Sequence, residues 1–276
     1  MKLPSRPRAV VTGAASGFGR AIALRLASRR ARLVLTDVDE AGLEETAARA
    51  RDEGAQVQIL RCDVREAEQV EAMAQRADET YGGTDLLVNN AGVAAAGPVG
   101  EVPLADWRWQ LDVNLWGVIV GCHAFVPRMK AQGSGHILNM ASSAGLACAP
   151  LMAPYNVSKA GVIALSETLY GELQGTGIGV SVLCPTFFRT NIYDGARFSD
   201  PQLYDTTKRL VTQASWDADQ IADHALDGVE RGELFIIPQA DGRALWRAKR
   251  IFGADFHRWL GRISRSPRLM RLLSRG

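Results

Sequence analysis

The chain has 276 residues, 47% of them hydrophobic and 22% charged, with a formal net charge of +2. That length suits one large α/β domain and is too short for two ordinary domains joined by a linker. The nearly balanced charge argues against a nucleic-acid partner, and no internal repeat or low-complexity stretch interrupts the sequence.

Short β-branched or leucine-rich runs alternate with longer helical patterns, the signature of parallel strands joined by helical crossovers. Strands are expected near residues 9–12, 32–36, 56–61, 86–89, 136–140, 179–183 and 234–237, with helices between them. Such strands need cover on both faces, and right-handed crossovers then give a doubly wound parallel sheet of about seven strands. Ligands of such a sheet bind beyond the carboxyl ends of its strands.

The first strand runs directly into Thr12-Gly13-Ala14-Ala15-Ser16-Gly17-Phe18-Gly19, and a helix starts near Gly17. Glycine is needed there because a side chain would block the tight turn or hold the backbone away from a pyrophosphate, which the helix N-terminus attracts. Gly171, Gly175 and Gly177 repeat the spacing, but they close a helix before a strand, where termination and a turn explain them. After the second strand comes Asp37, eighteen residues beyond Gly19. A carboxylate at that distance accepts hydrogen bonds from an adenosine 2′-hydroxyl and repels a 2′-phosphate, which favours NAD over NADP. The alternatives are that Asp37 or Asp39 caps the next helix, expected over 40–53, and that Arg32 and Arg61 compensate a phosphate. Cys62-Asp63-Val64 and Asn89-Asn90-Ala91-Gly92 follow the third and fourth strands. Asp63 is placed to meet an adenine amino group, and Asn90, Ala91 and Gly92 to let a cofactor lie close to the backbone; read singly, each is a turn or cap.

Ser142 follows the fifth strand, and Tyr155 and Lys159 lie thirteen and seventeen residues further on, in a helix expected over 152–175. A phenol titrating near pH ~10 needs about 4 kcal/mol of preferential stabilisation to ionise near ~7. Four residues place Lys159 one turn beyond Tyr155 on the same face, so its ammonium is placed to supply that stabilisation. Tyr204 and Lys208 share the spacing but lie among Asp205, Thr206 and Thr207, a context that reads as a solvated surface turn.

Taken jointly, the glycine cradle, Asp63, the Asn-Asn-Ala-Gly run, Asn114, Ser142, Tyr155 and Lys159 resemble the short-chain dehydrogenase/reductase family in order and spacing, over roughly residues 8–237. The resemblance implies a single Rossmann-type domain with Tyr155 as general acid/base, Ser142 bonding the reacting oxygen and Lys159 holding the nicotinamide ribose. It also implies that Asn114 helps hold a water on the path by which protons leave through Lys159, and that the protein is a dimer or tetramer built on the helices after the fourth and fifth strands. The sixth-strand loop departs from the family's Pro-Gly pattern and reads Pro185-Thr186-Phe187-Phe188-Arg189-Thr190. Thr190 still matches the position that bonds the nicotinamide carboxamide. The cofactor set implied is Gly13, Ser16, Gly17, Phe18, Gly19, Asp37, Asp63, Val64, Asn90, Ala91, Gly92, Tyr155, Lys159, Pro185 and Thr190.

The substrate walls are expected from Ser142, Leu146, Met152, Tyr155, Phe187, Phe188 and Tyr193, with a substrate loop over about 186–215. Few fixed charges and many apolar groups suit a bulky hydrophobic alcohol or ketone, and Arg189 reads as a structural ion pair rather than an acid-binding group. Cys62, Cys122, Cys148 and Cys184 are widely spaced in apolar surroundings, as buried thiols are, and the four histidines form no ligand cluster, so no metal is expected. The apolar run 9–11 is too brief for a signal-peptide core, which suggests a cytoplasmic protein. From residue 242 to 276 the chain becomes a basic, amphipathic tail, suited to packing on the substrate loop or a neighbouring subunit, or to contact with an anionic membrane surface.

The expected activity is NAD-dependent interconversion of a hydrophobic secondary alcohol and its ketone. Its rivals are an NADPH-dependent carbonyl or 3-oxoacyl-thioester reductase on the same scaffold and a non-catalytic nucleotide-sensing protein.

Overall fold

The computed structural model describes residues 2–264. The N-terminal half runs β1 (Arg8–Thr12), α1 (Gly17–Ala27), β2 (Arg32–Asp37), α2 (Glu40–Asp52), β3 (Gln56–Arg61), α3 (Ala67–Tyr81), β4 (Leu86–Asn89), β5 (Ala95–Ala96) and α4 (Leu104–Leu111). A π-helical turn, Asp112–Trp116, joins α4 to α5 (Gly117–Gln132). The rest runs β6 (Gly135–Met140), α6 (Ser143–Ala147), α7 (Ala153–Glu172), β7 (Ile178–Leu183), β8 (Arg197–Phe198), α8 (Pro201–Thr212), α9 (Ala218–Arg231), β9 (Phe235–Ile236), α10 (Ala240–Phe252) and α11 (Ala254–Ser264).

Seven strands form one parallel sheet in the order β3-β2-β1-β4-β6-β7-β9. Alternate side chains of each strand enter opposite cores. Val11, Leu33 and Leu35 pack with Ile22 of α1, Leu43 of α2 and Ile221 of α9. Val10, Val34 and Leu87 pack with Met73 of α3, Phe125 of α5 and Val162 of α7. Both faces are therefore covered, which is why these strands read as continuous apolar runs. The order reverses between β1 and β4, and the crevice that opens there at the carboxyl ends carries the site.

Two features lie above this crevice. β5 and β8 pair in parallel, Ala95 with Arg197 and Ala96 with Phe198, tying the substrate loop to the segment after β4. α10 packs on α6: Lys249 Nζ donates to the Leu146 carbonyl at 2.7 Å, and Trp246 lies 5.1 Å from the Phe235 ring. Residues 265–276 of the expected tail lie outside the described residues.

Candidate active site

The turn after β1 is shaped by contacts that exclude side chains. Gly13 has φ +66°, and a Cβ there would stand 2.8 Å from both Ala91 Cα and Asn90 Nδ2. A Cβ on Gly19 would come within 1.9 Å of the Gly13 carbonyl oxygen, so Gly19 packs behind the turn and off the cavity wall. A Cβ on Gly17 would meet Thr190 Oγ1 at 2.9 Å, which places Thr190 across the mouth of the cradle. Thr12 Oγ1 accepts from the Asn90 and Ala91 amides, and Asn90 Nδ2 donates to the Thr12 and Gly13 carbonyls, locking the two turns together. Ser16, the N-cap of α1, makes no side-chain capping bond. The first amides of α1 are thus left for an anion.

Asp37 ends β2 on the cavity wall, its carboxylate accepting from the amides of Ala15 at 2.9 Å and Val38 at 2.7 Å. Helix capping falls to Asp39, which accepts from the Gly42 amide. Arg32 starts β2 at the far end of the sheet, and Arg61 pairs with Glu40 at 3.5 Å. Asp63 and Val64 line the cavity, and Asp63 is held below the usual carboxylate range, chiefly by hydrogen bonding to the Arg65 guanidinium. Turn glycines, free helix amides and a strand-end carboxylate fit an adenine dinucleotide.

Ser142 lies just past β6 as the N-cap of α6, where its Oγ accepts from the Ala144 amide at 3.1 Å. Its hydroxyl also donates to the Pro185 carbonyl at 3.5 Å, and Ser142 and Tyr155, in the first turn of α7, line the same cavity. Lys159 is buried, with Nζ 2.8 Å from the Met140 carbonyl and 5.7 Å from the Tyr155 ring centre. In the free protein, burial works against the acidified phenol that the four-residue spacing suggests. Burial pushes Tyr155 up to about 12, the nearby Ser142 hydroxyl drawing it back only in part. Burial likewise pulls Lys159 down to about 8. Withdrawal from water opposes charge on both groups, and the ammonium is engaged by the Met140 carbonyl rather than by the phenol oxygen.

Asn114 is fully buried in the π-helical turn, and its amide is committed in both directions to Val93, accepting from N–H and donating to C=O at 2.8 Å each. These bonds tie the π-helical turn to the segment after β4. A Cβ on Gly92 would lie 3.4 Å from Asn114 Oδ1 and 3.8 Å from Lys159 Nζ, which places the turn after β4 beside both side chains.

The cavity extends from this cluster to a chamber, about 680 Å³ in all. Met152, Phe187, Phe188 and Tyr193 line it as expected, with Phe188 also buried in the core. Leu146 does not line it. On α6 it turns into the core beside Val162, and Ala147 faces the cavity instead. Arg189 pairs with Asp217 and donates to the Ala214 carbonyl, a structural role. Thr186, where the family has glycine, is held by Gln239 and Asp241 at the start of α10. Tyr204 and Lys208 belong to α8, not to a turn: Tyr204 packs edge-on against Phe198 and Tyr193, closing the chamber's aromatic wall from behind. Sequence reasoning did not assign Trp109 and Leu245 to the chamber wall, which they also line. Leu245 lies in the amphipathic tail, whose sequence does not show what it packs against.

Residues 7–199 match the short chain dehydrogenase family. SadH of Mycobacterium tuberculosis, named as an oxidoreductase, is 35% identical over 254 residues, covering 91% of this chain and 92% of SadH. The 1-deoxy-11-beta-hydroxypentalenate dehydrogenase of Streptomyces exfoliatus is 40% identical over 192 residues, covering 68% of this chain and 69% of that protein. The crystal structure of a short chain dehydrogenase/reductase from Burkholderia phymatum in complex with NAD superposes with a TM-score of 0.85 at 38% identity, covering 88% of this chain and 92% of that one. The chain belongs to the short-chain dehydrogenase/reductase family and is an oxidoreductase built on its Rossmann-type fold.

Proposed function

We propose that the protein interconverts a bulky hydrophobic secondary alcohol and its ketone with NAD. The observation that carries this reading is that Ser142, Tyr155 and Lys159 line one cavity, set where an apolar chamber meets a dinucleotide cradle. When bound, the nicotinamide supplies the hydride acceptor or donor. In oxidation Tyr155 acts as phenolate, its Oη taking the hydroxyl proton while Ser142 Oγ holds the same substrate oxygen; in reduction the phenol returns the proton. With the dinucleotide bound, Lys159 holds the nicotinamide ribose and stabilises the phenolate, an interaction the free protein lacks, while Asn114 positions the 91–93 turn beside it. The cofactor set expected from the sequence forms the cradle, with Gly19 acting from behind it.

The preference for NAD rests on Asp37, which lines the cavity at the end of β2, and on the engagement of Arg61 by Glu40. The substrate class rests on the aromatic wall of Phe187, Tyr193 and Phe198, where shape and burial orient the ligand. A dimer or tetramer is supported by Leu104, Trp116 and Val157, large apolar groups left exposed on α4, the π-helical turn and α7. Among the described residues no helix is long and apolar enough to cross a membrane.

Turnover of apolar secondary alcohols and ketones with NAD and NADP, in wild type and Tyr155→Phe, tests the reading. Turnover that prefers NAD and is lost in the variant supports it. A preference for NADP with ketones would assign the protein to the NADPH-dependent carbonyl or 3-oxoacyl-thioester reductases instead. Cofactor binding without turnover of any member of the panel would favour a nucleotide sensor.

A further inference from the structure

Charge is distributed unevenly along the chain. Residues 243–276 hold ten Lys and Arg and one acid, Asp255, leaving 22 Lys and Arg against 29 Asp and Glu in the rest. A net-acidic body with a strongly basic end has the asymmetry expected of a protein that meets an anionic surface. The described part of this end is α10 and α11, and on it three large apolar side chains face solvent: Ile251 at 75%, Phe252 at 61% and Trp259 at 48% exposure. Arg247, Arg250 and Arg262 are also exposed and form no ion pair among the described residues. Other apolar groups of the same helices turn inward, Trp246 onto Phe235 and Phe256 into full burial.

We propose that α10 and α11 form a docking surface for an anionic lipid bilayer, with Ile251, Phe252 and Trp259 entering the interface and Arg247, Arg250 and Arg262 meeting the headgroups. An interfacial helix needs this pairing of apolar and cationic groups. A second copy of the same element would bring like charges together, and an acidic peptide would leave the apolar groups uncovered. Residues 265–276 continue the composition, with four arginines, no acid, and Leu269, Met270, Leu272 and Leu273. The contact is peripheral, since no described helix spans a bilayer. α10 is pinned to α6 by Lys249 and presents Leu245 to the chamber, so docking holds one chamber wall near the bilayer, where apolar alcohols and ketones concentrate. That last link rests on the proposed substrate class; the docking does not.

The full-length chain is co-sedimented with vesicles of phosphatidylcholine alone and of phosphatidylcholine with phosphatidylglycerol. Recovery with the anionic vesicles is expected to exceed that with the neutral ones by at least about tenfold. Salt that shortens the screening length from ~10 Å to ~3 Å is expected to release most of the protein. Two variants, Ile251→Ser/Phe252→Ser/Trp259→Ser and Arg247→Glu/Arg250→Glu/Arg262→Glu, are each expected to lose binding while keeping turnover of a water-soluble alcohol. The proposal is overturned by wild type remaining in the supernatant with anionic vesicles, by equal binding to both vesicle types, or by variants that bind like wild type. A vesicle-free drop in oligomer size in the serine variant would assign the face to contacts between copies and overturn it equally. Sedimentation is read without turnover, so its failure leaves the oxidoreductase reading standing, and absent turnover leaves the docking standing.

Discussion

Gly145 of α6 lies against the backbone of Lys159 so closely that a Cβ would stand 2.6 Å from the Lys159 carbonyl carbon and 2.8 Å from the Ala160 amide nitrogen. The two helices that carry the hydroxyl and phenol therefore touch main chain to main chain, and this approach sets the distance between Ser142 and Tyr155. Gly145→Ala must push α6 off α7. The expected result is a fall in kcat of about a hundredfold, the usual cost of misplacing a reacting group by about 1 Å, with NAD affinity held. Wild-type turnover in that variant would mean that the contact does not set the catalytic geometry.

Asp37→Ser removes the carboxylate at the end of β2 and leaves a hydroxyl for the Ala15 amide. Removing one charge a few ångströms from another is worth about 1–4 kcal/mol. The ratio of kcat/KM with NADP to that with NAD is expected to rise by at least about tenfold. An unchanged ratio would show that Asp37 does not face the ribose 2′ position.

Tyr155 and Lys159 separate by titration. In the free protein, the ultraviolet difference between wild type and Tyr155→Phe is expected to show no tyrosinate until the approach to about 12, since burial disfavours the anion. Lys159→Met is expected to leave that titration nearly in place while lowering kcat by about 10²–10⁴-fold. Tyrosinate near neutrality in the free protein would contradict this picture of the pair.

His136 gives stability a pH dependence unconnected with catalysis. It is buried on β6 with Nε2 2.9 Å from Ser181 Oγ. The Ser181 hydroxyl donates to the Glu233 carbonyl, so Nε2 carries the proton and the ring is neutral. Burial lowers its pKa from 6.5 to about 4. Below 6.5 the unfolded chain takes up a proton that the folded one refuses, so stability contributed above 6.5 is lost as pH falls toward 4. The loss sums to roughly 3 kcal/mol. Urea unfolding across that range is expected to show the decline, and His136→Gln to flatten it; parallel curves for the two proteins would exclude His136 as the source.

The parts of the site legible in the sequence are those set by local chemistry. Gly13, Gly17 and Gly19 declare a turn that admits no side chain, and the alternation of apolar runs with helical segments declares a doubly wound sheet. The missing parts depend on contacts distant in sequence. β5 and β8 are two residues each, too short to carry a period, and acquire meaning only by pairing across the chamber. Tyr204 reads in sequence as part of a surface turn because its exposed neighbours are polar, although Asp200 before Pro201 is a helix start, and Asp200 does accept from the Gln202 amide. Leu146 and Ala147 differ only in which side of a five-residue helix each occupies, and such a helix is too short to show a face in sequence. The raised Tyr155 pKa comes from burial by residues far away in the chain, which four-residue spacing cannot report.

The π-helical turn at Asp112–Trp116 adds a residue to an otherwise continuous helical run, and Asn114 sits within it. One residue of helix corresponds to about 100° of rotation. No single substitution along α4 or α5 can remove that offset; only a deletion can, and it would swing every side chain on one flank about a third of a turn relative to the other. The grip of Asn114 on Val93 is thus written into the count of residues more than into their identities, and it is insulated from gradual change in the helices on either side.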